Sequence, residues 1–100
     1  MKLITTALAR KLPPLGATEN HPDPIVQCKF FYPNFDWTWY GIEFDGEDIF
    51  FGFVDGDFPE LGYFSLKELL NTHGKLGLPI ERDCYFEPCP LSELRAQIGR

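Results

Sequence analysis

The sequence predicts an α+β domain: a small antiparallel β-sheet centred on a hairpin of residues 36–44 and 47–54, packed with short helices. Three observations predict it. Two aromatic-rich runs, DWTWYGIEF and EDIFFGFV, flank Asp45-Gly46, and an Asp-Gly pair between apolar runs is the chemistry of a two-residue type I′ hairpin turn. Helical patterns stand near both ends of the chain and directly after the central strands, so helices segregate from the sheet instead of alternating with it. With 100 residues, 44% hydrophobic and 16% aromatic, the chain has material for one core in a single domain, residues 1–100. A buried aromatic ring removes about 150–250 Å² from water, so a few such rings outweigh most other single contributions to a core this small.

Along the chain, residues 5–12 read as a helix, with Leu8 and Leu12 one turn apart, Thr5 or Thr6 as cap, and Pro13-Pro14 ending it. GATENHPDP, residues 16–24, is a loop. IVQCKFFY, residues 25–32, has the β-branched and aromatic content of a strand, and Pro33-Asn34 supplies the turn into the hairpin. A two-residue turn at Asp45-Gly46 sets the register of the next two strands. One face then pairs Phe44 with Glu47, Ile42 with Ile49, Tyr40 with Phe51 and Thr38 with Phe53, burying Ile42, Ile49, Phe51 and Phe53 together. The other pairs Glu43 with Asp48, Gly41 with Phe50, Trp39 with Gly52 and Trp37 with Val54. Both faces carry large apolar groups, unlike a sheet with one wet face, so a helix of the chain or a partner must cover the second. An aromatic ring can shield a glycine it opposes, whereas Glu43 opposite Asp48 is an unfavourable like-charge pair.

GYF, residues 62–64, adds a short strand. SLKELLNTHG, residues 65–74, reads as a helix, with Ser65 and Glu68 at capping-box spacing and Gly74 as its stop. LGLPIERDCYF, residues 76–86, is expected as a last strand with Ile80, Arg82, Cys84 and Phe86 on one side, Arg82 pairing with a distant carboxylate. The closing helix repeats Leu91, Leu94 and Ile98 at helical spacing, with Pro90 in its first turn.

The formal charge is −6, and no Lys or Arg lies between Phe30 and Leu66. That stretch holds Asp36, Glu43, Asp45, Glu47, Asp48, Asp55, Asp57 and Glu60. Phosphate binding needs clustered basic residues, so direct nucleic-acid binding is not expected. Three cysteines, Cys28, Cys84 and Cys89, cannot all pair within one chain. A metal on Cys84 and Cys89 would have to recruit His21, His73 or Cys28 without a second paired-ligand motif, so reduced thiols and no metal are expected. The N-terminal MKLITTALARKL imitates a signal peptide, but its apolar run is short and Arg10 and Lys11 follow at once. No run reaches the roughly 18–20 apolar residues of a membrane span. A cytoplasmic protein without a membrane partner is therefore expected.

No nucleophile elbow, P-loop or dinucleotide fingerprint is present, so no catalytic residue and no cofactor are assigned. Three readings follow. The first is an interaction module for a basic protein partner, recognised through Trp37, Trp39, Glu43, Asp45, Glu47 and Asp48, a wet aromatic pair with an acidic hairpin tip. The second is an acidic decoy that fills the nucleic-acid groove of a host protein. The remotest is a metal-dependent hydrolase.

The blocks LGATEN, WTWYGIEFDGED, GYFSLKEL and LPIERDCYFEPCPLSEL resemble, in that order and over nearly the whole chain, an uncharacterised bacterial domain-of-unknown-function family. Its members occur as small proteins and inside larger ones carried on plasmids, phages and other mobile elements. The resemblance implies a bacterial, intracellular, mobile-element setting and brings no catalytic residue with it.

Overall fold

Asp45 organises the centre of the molecule, but not as half of a two-residue turn. In the computed structural model, which describes residues 2–33, 35–72 and 77–100, its Oδ1 accepts the backbone N–H groups of Glu47, Asp48 and Ile49 at 2.8, 2.7 and 3.1 Å. A carboxylate that satisfies three successive amides favours a wider loop than Asp-Gly alone. The loop therefore spans residues 45–48, with Gly46 at φ +90°, between β3 (Thr38–Phe44) and β4 (Ile49–Asp55).

This corrects the expected register. Phe44 lies opposite Phe50 and Glu43 opposite Phe51; past a bulge at Ile42, Gly41 lies opposite Gly52 and Tyr40 opposite Phe53. The extra residue of a bulge re-aims the side chains that follow it. Here it keeps Ile42 in the same core as Tyr40 and Phe53, although the pairing differs. Ile42 and Phe53 are fully buried, but Ile49 and Phe51 are only half-buried. The expected shielding of Gly41 holds diagonally: a Cβ there would meet the Phe50 ring at 3.2 Å and the Cys28 Sγ at 2.7 Å.

The hairpin sits inside a five-stranded antiparallel sheet of order β5-β4-β3-β2-β6. Here β2 is Cys28–Phe31, β5 is Pro59–Ser65 and β6 is Glu81–Arg82. The strand expected over 25–32 is split: β1 (Ile25–Val26) leaves the sheet and pairs with β7 (Cys89–Pro90). The strand expected over 62–64 is longer, while of the one over 76–86, whose residue 76 lies outside the described residues, only Glu81–Arg82 is strand. Beyond it the Asp83 carboxylate accepts the Tyr85 N–H at 2.9 Å and its carbonyl accepts that of Phe86 at 3.2 Å, which turns the chain off the ladder. Arg82 donates to the Leu3 carbonyl at 3.3 Å instead of the expected carboxylate.

Three short helices are described. α1 (Thr6–Lys11) is capped by Thr5. α2 (Leu66–Asn71) starts at Ser65, whose Oγ accepts the Glu68 N–H; the expected Gly74 stop and His73 lie outside the described residues. α3 (Leu91–Ile98) ends on Gly99 at φ +75° and is capped from a distance, with the Asp23 carboxylate accepting both the Ser92 N–H and its hydroxyl.

Each sheet face has its own core. On one, Phe30, Phe44, Phe50 and Phe64 pack against Leu66 and Leu69 of α2, against Leu3, Leu12 and Ile80, and against α1. On the other, Val26, Tyr40, Ile42 and Phe53 pack under Leu91 and Leu94 of α3. The chain's own helices thus cover both faces. Among the described residues no helix is long and apolar enough to cross a membrane.

Candidate functional site

The six residues expected to form one recognition surface are not brought together. Trp39 and Asp45 stand at opposite ends of β3, roughly 20 Å apart at about 3.3 Å of rise per residue. Three of the four acids also hold the chain's own backbone. Glu43 is 3% exposed; its Oε1 accepts the Gly16 N–H at 2.7 Å, and its Oε2 accepts the Thr18 N–H at 2.8 Å and the Thr18 hydroxyl. Burial pushes its carboxyl up, but these three hydrogen bonds outweigh that effect and hold it below the ordinary value. The expected Glu43–Asp48 pair is absent because the bulge turns Glu43 towards residues 16–18.

Asp45 is held below its ordinary value by the N–H groups of Asp48 and Glu47, and then of Ile49. The Asp48 carboxylate accepts the Ser65 hydroxyl at 2.9 Å and the Lys67 N–H at 2.8 Å, so it takes part in capping α2. Glu47 is exposed. At the other end of β3, Trp37 and Trp39 are both half-buried, 5.9 Å apart. Tyr32 continues the file at 6.3 Å from Trp39, and Phe35, 60% exposed, lies 6.1 Å beyond it. Trp37 lies over Gly56, where a Cβ would meet its ring at 2.8 Å.

A different surface has the more open geometry. β5 is the edge strand on the side away from β6, and its outer backbone groups can be counted. The Asp45 N–H donates to the Ile49 carbonyl, and the Leu66 N–H to the Asp48 carbonyl. Ile49 therefore faces β3, and the ladder between β4 and β5 uses Phe50, Gly52 and Val54 against Phe64, Gly62 and Glu60. The N–H and C=O groups of Leu61 and Tyr63 consequently point away from the sheet, unpaired within it. Pro59 occupies the same outward phase, where a missing N–H costs nothing.

Beside this edge, on the α3 side, lies a groove of about 380 Å³. It is lined by Phe51, Leu61 and Tyr63 of the sheet, by Pro22, Pro24 and Leu91, and by Glu43 and Thr18. Leu61 is 48% exposed and Tyr63 70%, with the Tyr63 ring 5.2 Å from that of Phe51. Among the described residues no Lys or Arg lines the groove, whereas Glu19 and Glu43 do. Reading only GYF as a short strand missed this surface; Pro59 followed by alternating Leu61 and Tyr63 was the available signal for an edge strand.

Two of the three cysteines offer little nucleophilic chemistry. Burial pushes the Cys28 thiol up to about 12, against smaller opposing effects of a Gly41 backbone hydrogen bond and of Arg82, so it stays protonated at neutral pH. Burial, with Glu93 and Asp23 nearby, also raises Cys89. Cys84 is exposed, with its Sγ 3.7 Å from Arg82 Nη2.

The fold and this surface define a small α+β domain with one long open sheet edge. The chain belongs to the family described as "Protein of unknown function (DUF2958)", which matches it over residues 3–97. No curated protein and no solved structure matches it.

Proposed function

We propose that this domain is a protein-interaction module that holds its partner along the outer edge of β5 and in the groove beside it, and that it serves as an accessory protein in the bacterial mobile-element setting implied by its sequence resemblance. One observation carries the reading: the seven-residue edge strand presents Leu61 and Tyr63 with exposed apolar side chains and with outward backbone groups that have no partner among the described residues. Unpaired strand edges are templates for another chain, and strand addition is a recurrent mode of peptide recognition. Trp37 and Trp39 are a second candidate contact, supported by the exposed Phe35 at the end of their aromatic file. The decoy reading has less support, because Glu43, Asp45 and Asp48 are turned onto backbone amides instead of being spread along a face like phosphates.

Photo-crosslinking in the native host tests the proposal. A photoreactive residue in place of Tyr63 should link to one discrete partner, and Leu61→Lys in the same chain should abolish the link. The same residue in place of Tyr85, 93% exposed in the turn after β6, should not form it. A link formed equally from both positions, or only from Phe35, overturns the proposed site.

A further inference from the structure

We infer that the occupant of the β5 edge is an extended segment in which basic and apolar side chains alternate, a reading that rests on the interaction site proposed above. The phase of the strand dictates the alternation. A strand added to β5 makes its paired hydrogen bonds with Leu61 and Tyr63, because those residues turn their N–H and C=O groups outward. Residues paired across an antiparallel ladder share a face. The two partner side chains opposite Leu61 and Tyr63 therefore lie on the groove side, where the neighbours on the sheet are Leu61, Tyr63 and Phe51 and where Glu43 is already taken up by Gly16 and Thr18, with Glu19 also in the lining. Apolar groups suit that side.

The partner residues between them turn to the opposite face, and there the surroundings differ. One lies opposite Gly62, where a Cβ would meet nothing within 4 Å, so a long side chain has room across the strand. The next lies opposite Glu60, which is exposed. Asp57 is exposed in the loop before β5, and the strand contains no basic residue. A Lys or Arg in the partner at these two positions meets Glu60 directly or diagonally, and an acidic residue there is repelled. The occupant is thus read as basic–apolar–basic–apolar, with its charge on one face and its apolar groups on the other. The overall charge of −6 disfavours a second copy of this chain as occupant and would speed the approach of a basic segment.

The test uses the full chain, ¹⁵N-labelled, and two capped hexapeptides, one alternating Lys with Val and one alternating Glu with Val. The Lys peptide should shift the amide signals of Leu61 and Tyr63 and bind at least about tenfold more tightly than the Glu peptide, the ratio expected when one direct and one diagonal charge pair with Glu60 change from attractive to repulsive. Glu60→Lys should reverse or erase that preference while leaving the spectrum folded. Equal binding of both peptides at residues 59–65 overturns the basic occupant and leaves the edge site standing. No shift at residues 59–65 with either peptide, or shifts confined to Phe35 and Trp37, overturns both. Concentration-dependent broadening of residues 59–65 without peptide identifies a second copy as the occupant and overturns the basic segment.

Discussion

The two faces of the sheet are finished to different extents. On the α1 and α2 side, aromatic rings close on one another. Phe50 stacks on Phe44 at 4.3 Å and on Phe64 at 4.9 Å, and meets Phe30 edge-on at 5.4 Å. On the other side α3 covers Tyr40, Ile42 and Phe53, while Leu61 and Tyr63 on β5 stay open. Size accounts for the difference. An eight-residue helix such as α3 is about 12 Å long, whereas five strands about 4.8 Å apart span roughly 19 Å. Both faces hold a core, but the second is left with an accessible strip at its edge.

The contrast breaks most directly at Phe50, which has no exposure and touches three rings. Phe50→Ala should cost about 3–5 kcal/mol, as large-to-small substitutions of buried Phe do. A urea titration followed by far-UV circular dichroism reads this as a lower midpoint or as loss of the transition. A cost below about 1 kcal/mol would mean that the ring cluster around Phe50 is not a main support of the fold.

Gly52 probes the join between the faces. A Cβ there would sit against the Tyr40 carbonyl oxygen, well inside contact distance, directly beside the bulge at Ile42. Gly52→Ala should therefore destabilise by about 1–3 kcal/mol or more. Gly62→Ala, opposite it on β5 and facing open space, should stay within about 0.5 kcal/mol. Comparing the two urea midpoints isolates the close backbone approach at Gly52 from the general cost of altering a strand glycine.

The same position marks where the sequence ceases to be legible. The α+β class, the central antiparallel hairpin, the Thr5 and Ser65 caps and the helix over Leu91, Leu94 and Ile98 all follow from local periodicity and capping chemistry, and the structure has them. The register does not follow, because it depends on one Asp45 oxygen taking three amides and on Glu43 reaching residues 16 and 18, contacts that local pattern cannot reveal. The splitting of residues 25–32 likewise depends on Ile25 and Val26 finding Pro90 and Cys89, far along the chain. The expected recognition residues rest on charge and aromaticity. Those properties serve equally well to clamp a loop or cap a helix, which is how Glu43, Asp45 and Asp48 are used.

Glu43 sharpens the comparison at the groove. Glu43→Gln keeps the size but weakens the acceptors for the Gly16 and Thr18 amides, and should cost about 1–3 kcal/mol. The pH dependence has a definite sign. The folded-state value of Glu43 lies below its ordinary 4.5, so its contribution is complete above the ordinary value and is lost as pH falls through the folded one. The stability difference between the native chain and Glu43→Gln should accordingly shrink on acidification below about pH 4.5. Asp23 and Asp45, which are also held low, act in both proteins alike. A difference that is flat with pH would mean that the charge of Glu43 is not what holds residues 16–18.

The smallest effect is expected at Tyr63. Its ring is 70% exposed and touches the half-buried Phe51, and its backbone N–H and C=O point away from the ladder. Tyr63→Thr keeps a strand-favouring residue, so the urea midpoint should move by no more than about 0.5 kcal/mol. A stability cost near that of Phe50→Ala would mean that this ring belongs to the core and that the second face is closed after all. If stability is unchanged while the affinity for a strand-forming basic peptide falls, Tyr63 has no structural role to explain its exposure. A large, apolar, half-rigid side chain on an open edge then serves the surface it faces, because nothing inside the molecule depends on it.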